Sequence, residues 1–270
     1  MKGIFKKLST IIVVLIMLSC SMLFASCGKK ENNNTVEEPA NTENTKPEPV
    51  TIQVSSYYEL KSAVKGTADI IKLVNDIDIK TESMNPKDFF LFERKLTLDL
   101  NGKKIYCTKN IYDESSGNKA MLEISEGADV TITGDGQVIA KENDAYAIQV
   151  TNGGKVTIEN GEFIGNRNCI SVYNGKLDIK GGRFSIQQKE PFQVHDPETN
   201  LLGYGYVIDC HDINIAYCSV VVKGGEFVNF NPKKNISNGV NTNYLVTGYK
   251  SILLPESTDS TKIYKVTVNN

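Results

Sequence analysis

The sequence predicts an all-β protein: a single-stranded right-handed parallel β-helix, a solenoid, with a short N-terminal capping helix. Three observations predict it. First, two alternating apolar residues, a Gly-containing turn and a further apolar residue recur as one motif. It runs Val130-Thr131-Ile132 through Gly134 and Gly136 to Val138, and Val156-Thr157-Ile158 through Asn160-Gly161 to Phe163. It returns as Leu177-Asp178-Ile179 through Gly181-Gly182 to Phe184, and as Val220-Val221-Val222 through Gly224-Gly225 to Phe227. Second, the interval from the first apolar residue to the Phe is the same in the last three copies. Third, a further short strand precedes the motif in each period: Ala147-Ile148-Gln149-Val150, Ile170-Ser171-Val172, and Val207-Ile208-Asp209-Cys210. Three short strands per period describe one coil that cannot cover its own apolar face, so coils stack and bury a continuous column.

The elements follow in chain order. Lys2, Lys6 and Lys7 precede an almost wholly apolar or small run from Leu8 to Phe24, the basic and apolar regions of an export signal. The run ends at Leu23-Phe24-Ala25-Ser26-Cys27, which resembles the lipobox of bacterial lipoproteins. That resemblance implies removal of residues 1–26 and lipidation of Cys27. Phe24 stands where the lipobox more often has a small or aliphatic residue, and Cys20, after bulky Met17 and Leu18, is the poorer acceptor. The apolar run is at the short end for a membrane span. Residues 28–50 are rich in Asn, Glu, Thr, Pro and Lys and cannot bury enough surface to offset ordering entropy. Residues 27–50 therefore read as a lipidated Cys and disordered tether, holding a folded body about 25–30 Å from the bilayer.

Residues 51–270 carry the fold. Ser55-Ser56 followed by Tyr57, Tyr58, Leu60, Ala63 and Val64 and ended by Gly66 reads as the capping helix. Ile70-Ile71-Lys72-Leu73 and Ile77-Asp78-Ile79 begin the strands, and Leu98-Asp99-Leu100-Asn101-Gly102 leading to Ile105 is an early copy of the motif. Val138, Phe163 and Phe184 are spaced 25 and 21 residues apart, whereas Phe227 follows after 43, which suits two turns or one turn with a long loop. The Phe positions are expected to stack. Taken alone, Asn160-Gly161 is a hairpin signal, so a meander or β-sandwich is the alternative fold. At the far end, Tyr244-Leu245-Val246 and Ile263–Val268 look like closing strands that block edge-to-edge growth.

Four segments carry a family resemblance: KLTLDLNGKKI (95–105), GYVIDCHD (205–212), KGGEFVNFNP (223–232) and NTNYLVTGYK (241–250). They resemble right-handed β-helix proteins of the pectate-lyase-like superfamily, from a group of gut Firmicutes surface proteins and phage-associated adhesive structures. The resemblance covers residues 50 to 270 and implies the fold. The group mostly lacks an assigned activity.

Composition narrows function further. Thirty Lys and Arg against 32 Asp and Glu, with no basic stripe, exclude a nucleic-acid binder. There is no Trp, and there are only two His and three Arg (Arg94, Arg167 and Arg183), so few of the usual catalytic residues are present. No carboxylate set recurs at coil spacing around Arg167 or Arg183, as a Ca²⁺-dependent lyase would need. The catalytic alternative, a polysaccharide lyase or glycoside hydrolase, rests on Asp209 and His211, which would share one strand face, with His195 and Asp196 on the preceding loop. The carboxylate and imidazole count is thin for a metal site.

The expectation is a non-catalytic cell-surface lipoprotein, facing the extracytoplasmic side of a bacterial membrane, that binds or adheres to polysaccharide and needs no cofactor or metal. Its candidate ligand-binding residues are Tyr204, Tyr206, His195, Asp209 and His211, because loops leaving a rigid scaffold carry binding residues and rings stack on sugar faces. A purely structural surface protein or phage-derived adhesin module is the third reading. Cys107, Cys169, Cys210 and Cys218 read as small buried apolar residues, although an exported location would permit a disulfide whose pairing the sequence leaves open.

Overall fold

A strand, β1 (Thr51–Val54), leads into one short helix, α1 (Tyr57–Ala63). The computed structural model describes residues 47–79, 89–113, 115, 119–188, 205–210, 217–237 and 242–269, and of residues 194–195 and 202–203 the backbone alone. Contacts group the chain from Pro47 to Asn270 as one compact unit. The helix starts where the sequence signals it. Ser56 is extended (φ −143°), and its hydroxyl accepts from the Glu59 N–H at 3.3 Å. The Glu59 carboxylate reaches back to the Ser55 N–H at 2.6 Å and to the Ser55 hydroxyl, a reciprocal cap that holds this carboxyl below its ordinary range. Leu60, Ala63 and Val64 are buried, whereas Tyr58 is 73% exposed and lies off the packed face. The helix C-terminus is held by Arg94, whose guanidinium donates to the carbonyls of Ala63, Val64 and Ala68.

Beyond the helix the chain visits three sheets in turn and returns one strand further along each. The first circuit is β2 (Ile70–Leu73), β3 (Ile77–Asp78) and β4 (Phe90–Phe92); the second is β5 (Leu96–Asp99), β6 (Lys104–Tyr106) and β7 (Ala120–Ile124). Next come β8 (Asp129–Thr133), β9 (Gln137–Ile139) and β10 (Tyr146–Thr151), then β11 (Lys155–Ile158), β12 (Glu162–Gly165) and β13 (Ile170–Tyr173). In the fifth circuit β14 (Lys176–Ile179) and β15 (Arg183–Ile186) precede an insertion that carries β16 (Val194–His195) and β17 (Leu202–Gly203), an antiparallel pair. The circuit closes with β18 (Ile208–Cys210). Last come β19 (Ser219–Val222), β20 (Glu226–Val228), β21 (Tyr249–Leu253) and β22 (Ile263–Val268).

Sheet A has the order β1-β2-β5-β8-β11-β14-β19 and sheet C the order β4-β7-β10-β13-β18, parallel throughout. Sheet B runs β3-β6-β9-β12-β15-β20 in parallel and ends on antiparallel β22 and β21. The fold is therefore mostly β, with one short helix and long parallel sheets.

Register explains the recurring motif. In sheet B, Ile77, Ile105, Val138, Phe163, Phe184 and Phe227 are consecutive Cα partners, and all are buried. The Phe163 and Phe184 rings stack at 5.3 Å and 8°, and Phe184 and Phe227 at 5.1 Å and 16°, as the constant interval predicts. Sheet A aligns Ile71, Leu98, Ile132, Ile158, Ile179 and Val222 in the same way. Because Phe184 and Phe227 are direct partners, the 43-residue interval is one circuit with a long insertion.

The turns between sheets A and B depend on glycine at close approach. Gly182 has φ +96°, and a Cβ there would lie 2.7 Å from the carbonyl oxygen of Gly161, one circuit earlier. Gly153, in a turn between sheets C and A, has φ +79° but nothing within 4 Å of its would-be Cβ. Gly153→Ala is therefore expected to cost about 1–2 kcal/mol, for left-handed backbone alone. Gly182→Ala should cost about 1–3 kcal/mol more, since one layer must move off the next. Chemical denaturation of both variants checks this; equal losses would contradict stacking contact at Gly182.

As the recurrence of the motif argues, Asn160-Gly161 does not make a hairpin: β11 and β12 pair with strands of other circuits and not with each other. Two details differ from the sequence reading. Tyr244-Leu245-Val246 is no strand and makes only a single bridge, Leu245 to Val222. Ile263–Val268 instead pairs antiparallel with β20 on one side and β21 on the other, so direction reverses at the end of sheet B. Cys107, Cys169, Cys210 and Cys218 are thiols. Burial pushes the Cys107 thiol up to about 11 and that of fully buried Cys169 up to about 12. Cys218 is half-buried rather than in the core, its sulfur accepting from the Asn174 N–H at 3.2 Å.

Candidate functional site

The three corners of each circuit differ in length. Turns from sheet A to sheet B are short and, from the second circuit on, glycine-bearing, whereas the connections from sheet B to sheet C range from residues 166–169 to residues 187–207. Insertions on a rigid scaffold are where binding groups gather, so this corner and the adjoining outer face of sheet C form the candidate site.

On that face polar residues fall in one row. Glu123, Gln149, Ser171 and Asp209 are consecutive partners on β7, β10, β13 and β18, in line with Leu91 of β4, each alternating with buried apolar neighbours. Glu123 accepts from the Thr151 hydroxyl at 3.1 Å, and burial pushes its carboxyl above the ordinary range, with the hydrogen bond opposing. Ser171 is 7% exposed. Gln149 Oε1 is buried without a hydrogen-bond partner among the described residues. Asp209 Oδ2 accepts from Asn168 Nδ2 at 2.9 Å, and Asn168 Oδ1 accepts from the Tyr206 N–H at 2.9 Å. Asn168 is buried and so ties the end of the long insertion to the carboxylate row. Nearby, the Tyr146 ring meets Tyr112 edge-on at 6.1 Å. Burial and then Tyr112 push the Tyr146 phenol above its ordinary range, with Arg167 opposing and Asp209 adding.

Tyr206 also borders a cleft of about 970 Å³ between the insertion and the C-terminal segment. Phe230 and Tyr264 line it with Asn229, Asn231 and Lys262. Its wall is built by local hydrogen bonds: Asn229 Oδ1 accepts from the Lys262 N–H at 2.7 Å, and Asn231 Oδ1 from the Lys233 N–H at 3.0 Å. These residues belong to the KGGEFVNFNP segment and its antiparallel partner.

Of the sequence candidates, the structure brings Tyr206 and Asp209 together through Asn168. His195 stands in β16, opposite Leu202. Tyr204, His211 and Cys27 lie outside the described residues, and with His211 the Asp209–His211 pair. Sequence reading missed Asn168, Tyr146, Glu123 and the cleft residues other than Tyr206. Aligning Ile148-Gln149-Val150, Ile170-Ser171-Val172 and Ile208-Asp209-Cys210 would have put three members of the row in register.

Among the described residues no group of three or more His, Cys, Asp and Glu could hold a metal ion, and no helix is long and apolar enough to cross a membrane. No protein-family model, curated protein or solved structure matches the chain.

Proposed function

We propose that this chain is a bacterial lipoprotein, anchored at Cys27 on the extracytoplasmic side of the cell membrane, whose domain binds polysaccharide without turning it over. Residues 1–26 are its export signal and residues 27–50 its lipidated tether. Residues 51–270 form a right-handed parallel β-helix akin to the pectate-lyase-like surface proteins. The circuit of three parallel sheets supports that fold. The observation that carries the binding reading is the joint at Asn168, which sets an aromatic-lined cleft beside a row of hydrogen-bonding side chains. Rings offer an apolar face to sugar C–H groups while amides and carboxylates take the hydroxyls.

The test is retention of the full-length chain, in detergent, on immobilised glycans. Tyr206→Ala should weaken retention about 3- to 10-fold, the size of an aromatic contact, and Tyr204→Ala should weaken it comparably. His211→Ala should stay within about 2-fold, since a single imidazole carries little sugar affinity. The opposite ranking would move the site to His211.

A further inference from the structure

At the turn from sheet C to sheet A, register fixes which residues stack. The last inward residues of the sheet C strands are Ile124, Val150, Val172 and Cys210, consecutive Cα partners and all buried. Across the turn, pairing in sheet A sets Ala128, Gly154, Gly175 and Cys218 in line, each one residue before its strand. The two columns lie against each other. A Cβ at Gly175 would lie 2.7 Å from Val150 Cγ1, and one at Gly154 would run into the Ile124 carbonyl. In the final circuit seven residues separate the columns where two or three do so before, and the second column takes a cysteine.

Cys218 keeps the inward approach. Its thiol donates to the Val172 carbonyl at 3.6 Å and accepts from the Asn174 N–H at 3.2 Å. Cys210 is the strand partner of the same Val172 and is buried. The two sulfurs also share Tyr244 as a neighbour: burial pushes its phenol above the ordinary range, with the Ser237 hydrogen bond opposing and Cys210, Asp209 and Cys218 adding. The other thiols lie elsewhere. Cys107, in the second circuit, donates to the carbonyls of Lys109 and Ile79, and Cys169, in the fourth, to that of Phe163. Circuits repeat at about 4.8 Å and strand residues at about 3.3 Å. Cys107 is therefore at least two circuits from every other thiol, and Cys169 stands about 10 Å along the strand from Val172. Both separations exceed the Cα distance of about 7 Å that a disulfide spans.

We infer that Cys210 and Cys218 form a disulfide that ties the last strand of sheet C to the last strand of sheet A at the C-terminal end of the column. The bond is made by exchange with a disulfide-bearing oxidant, the class that an extracytoplasmic compartment supplies. Half-buried Cys218 attacks first. Its thiolate bonds to one sulfur of the oxidant, and the other sulfur leaves as a thiolate. Buried Cys210 then attacks the Cys218 sulfur of the mixed disulfide and expels the second thiolate, and the two leaving thiolates take up the two protons that the cysteines lose. Two thiols are thus oxidised to one disulfide while the oxidant is reduced to two thiols. The polysaccharide reading plays no part in this.

Oxidised glutathione is the probe. The full-length chain, purified in detergent and reduced, is incubated with it, blocked with iodoacetamide, unfolded and cut with chymotrypsin, which cleaves after Tyr217 and separates the two cysteines. The expected product is a pair of fragments joined through Cys210 and Cys218 and released by reductant. Oxidation should raise the thermal midpoint by about 5–10 °C, as a short closed loop does in a domain of this size, and reductant should reverse the rise. Cys210→Ala should abolish the rise and hold glutathione on Cys218 as a mixed disulfide, whereas Cys218→Ala should leave Cys210 unmodified in the folded chain. Recovery of both cysteines of the wild type in alkylated form would overturn the inference. So would a bridge from either to another cysteine, or equal glutathione uptake by the two variants.

Discussion

Replacing Phe184 by Ala is expected to destabilise the domain by about 3–5 kcal/mol. The ring is the middle member of the stack and fully buried, with neighbours at 5.3 Å and 5.1 Å on its two sides. Truncation removes its transfer free energy, leaves a cavity between two rings held by backbone register, and breaks both ring contacts. Collapse cannot refill that space, because Phe163 and Phe227 are fixed by their own sheet hydrogen bonds. Phe163→Ala and Phe227→Ala should lose similar amounts, since both rings are equally buried. Urea denaturation of the three variants measures this, and losses within about 0.5 kcal/mol of zero would place the rings at an exposed surface.

Cys27→Ala is expected to abolish lipidation. Under the proposed anchoring, the wild type takes up radiolabelled palmitate and partitions into the detergent phase. The variant lacks the thiol that bears the diacylglyceryl group, so it should accumulate unprocessed or be released from the membrane, with no label. The contrast is close to all-or-none, because lipid chains bury about 0.8 kcal/mol per CH₂ in the bilayer. Equal labelling of the two forms would remove the lipoprotein proposal.

The inward register was legible in the sequence because it repeats. The equal spacing of Val156, Leu177 and Val220 from their Phe partners anticipates the pairing of β11, β14 and β19, and the glycines mark the turns that follow. Elements without alternation were not legible. Phe89-Phe90-Leu91-Phe92 and Ala120-Met121-Leu122 are continuous apolar runs, and such runs do not announce which residues face inward, so β4 and β7 emerge only from pairing. Nor does the alternation in Ile263–Val268 reveal that β22 runs antiparallel to β20.

The site was half legible for a similar reason. Asp209 and Tyr206 stood out by residue type. What joins them is Asn168, separated from them by 41 and 38 residues and visible only once β13 and β18 are neighbours. The row of Glu123, Gln149 and Ser171 has no chemistry of its own in sequence. It becomes a surface when parallel stacking brings one polar side chain per circuit into line.

The most direct test of the account incubates the full-length chain in detergent with a panel of neutral, amine-bearing and uronate-containing glycans. Retention and products are read from the same samples. The account predicts retention of at least one glycan with no new reducing ends and no unsaturated products. Turnover of any glycan would contradict it and make the corner between sheets B and C an active site, and absence of retention across the panel would contradict it as well.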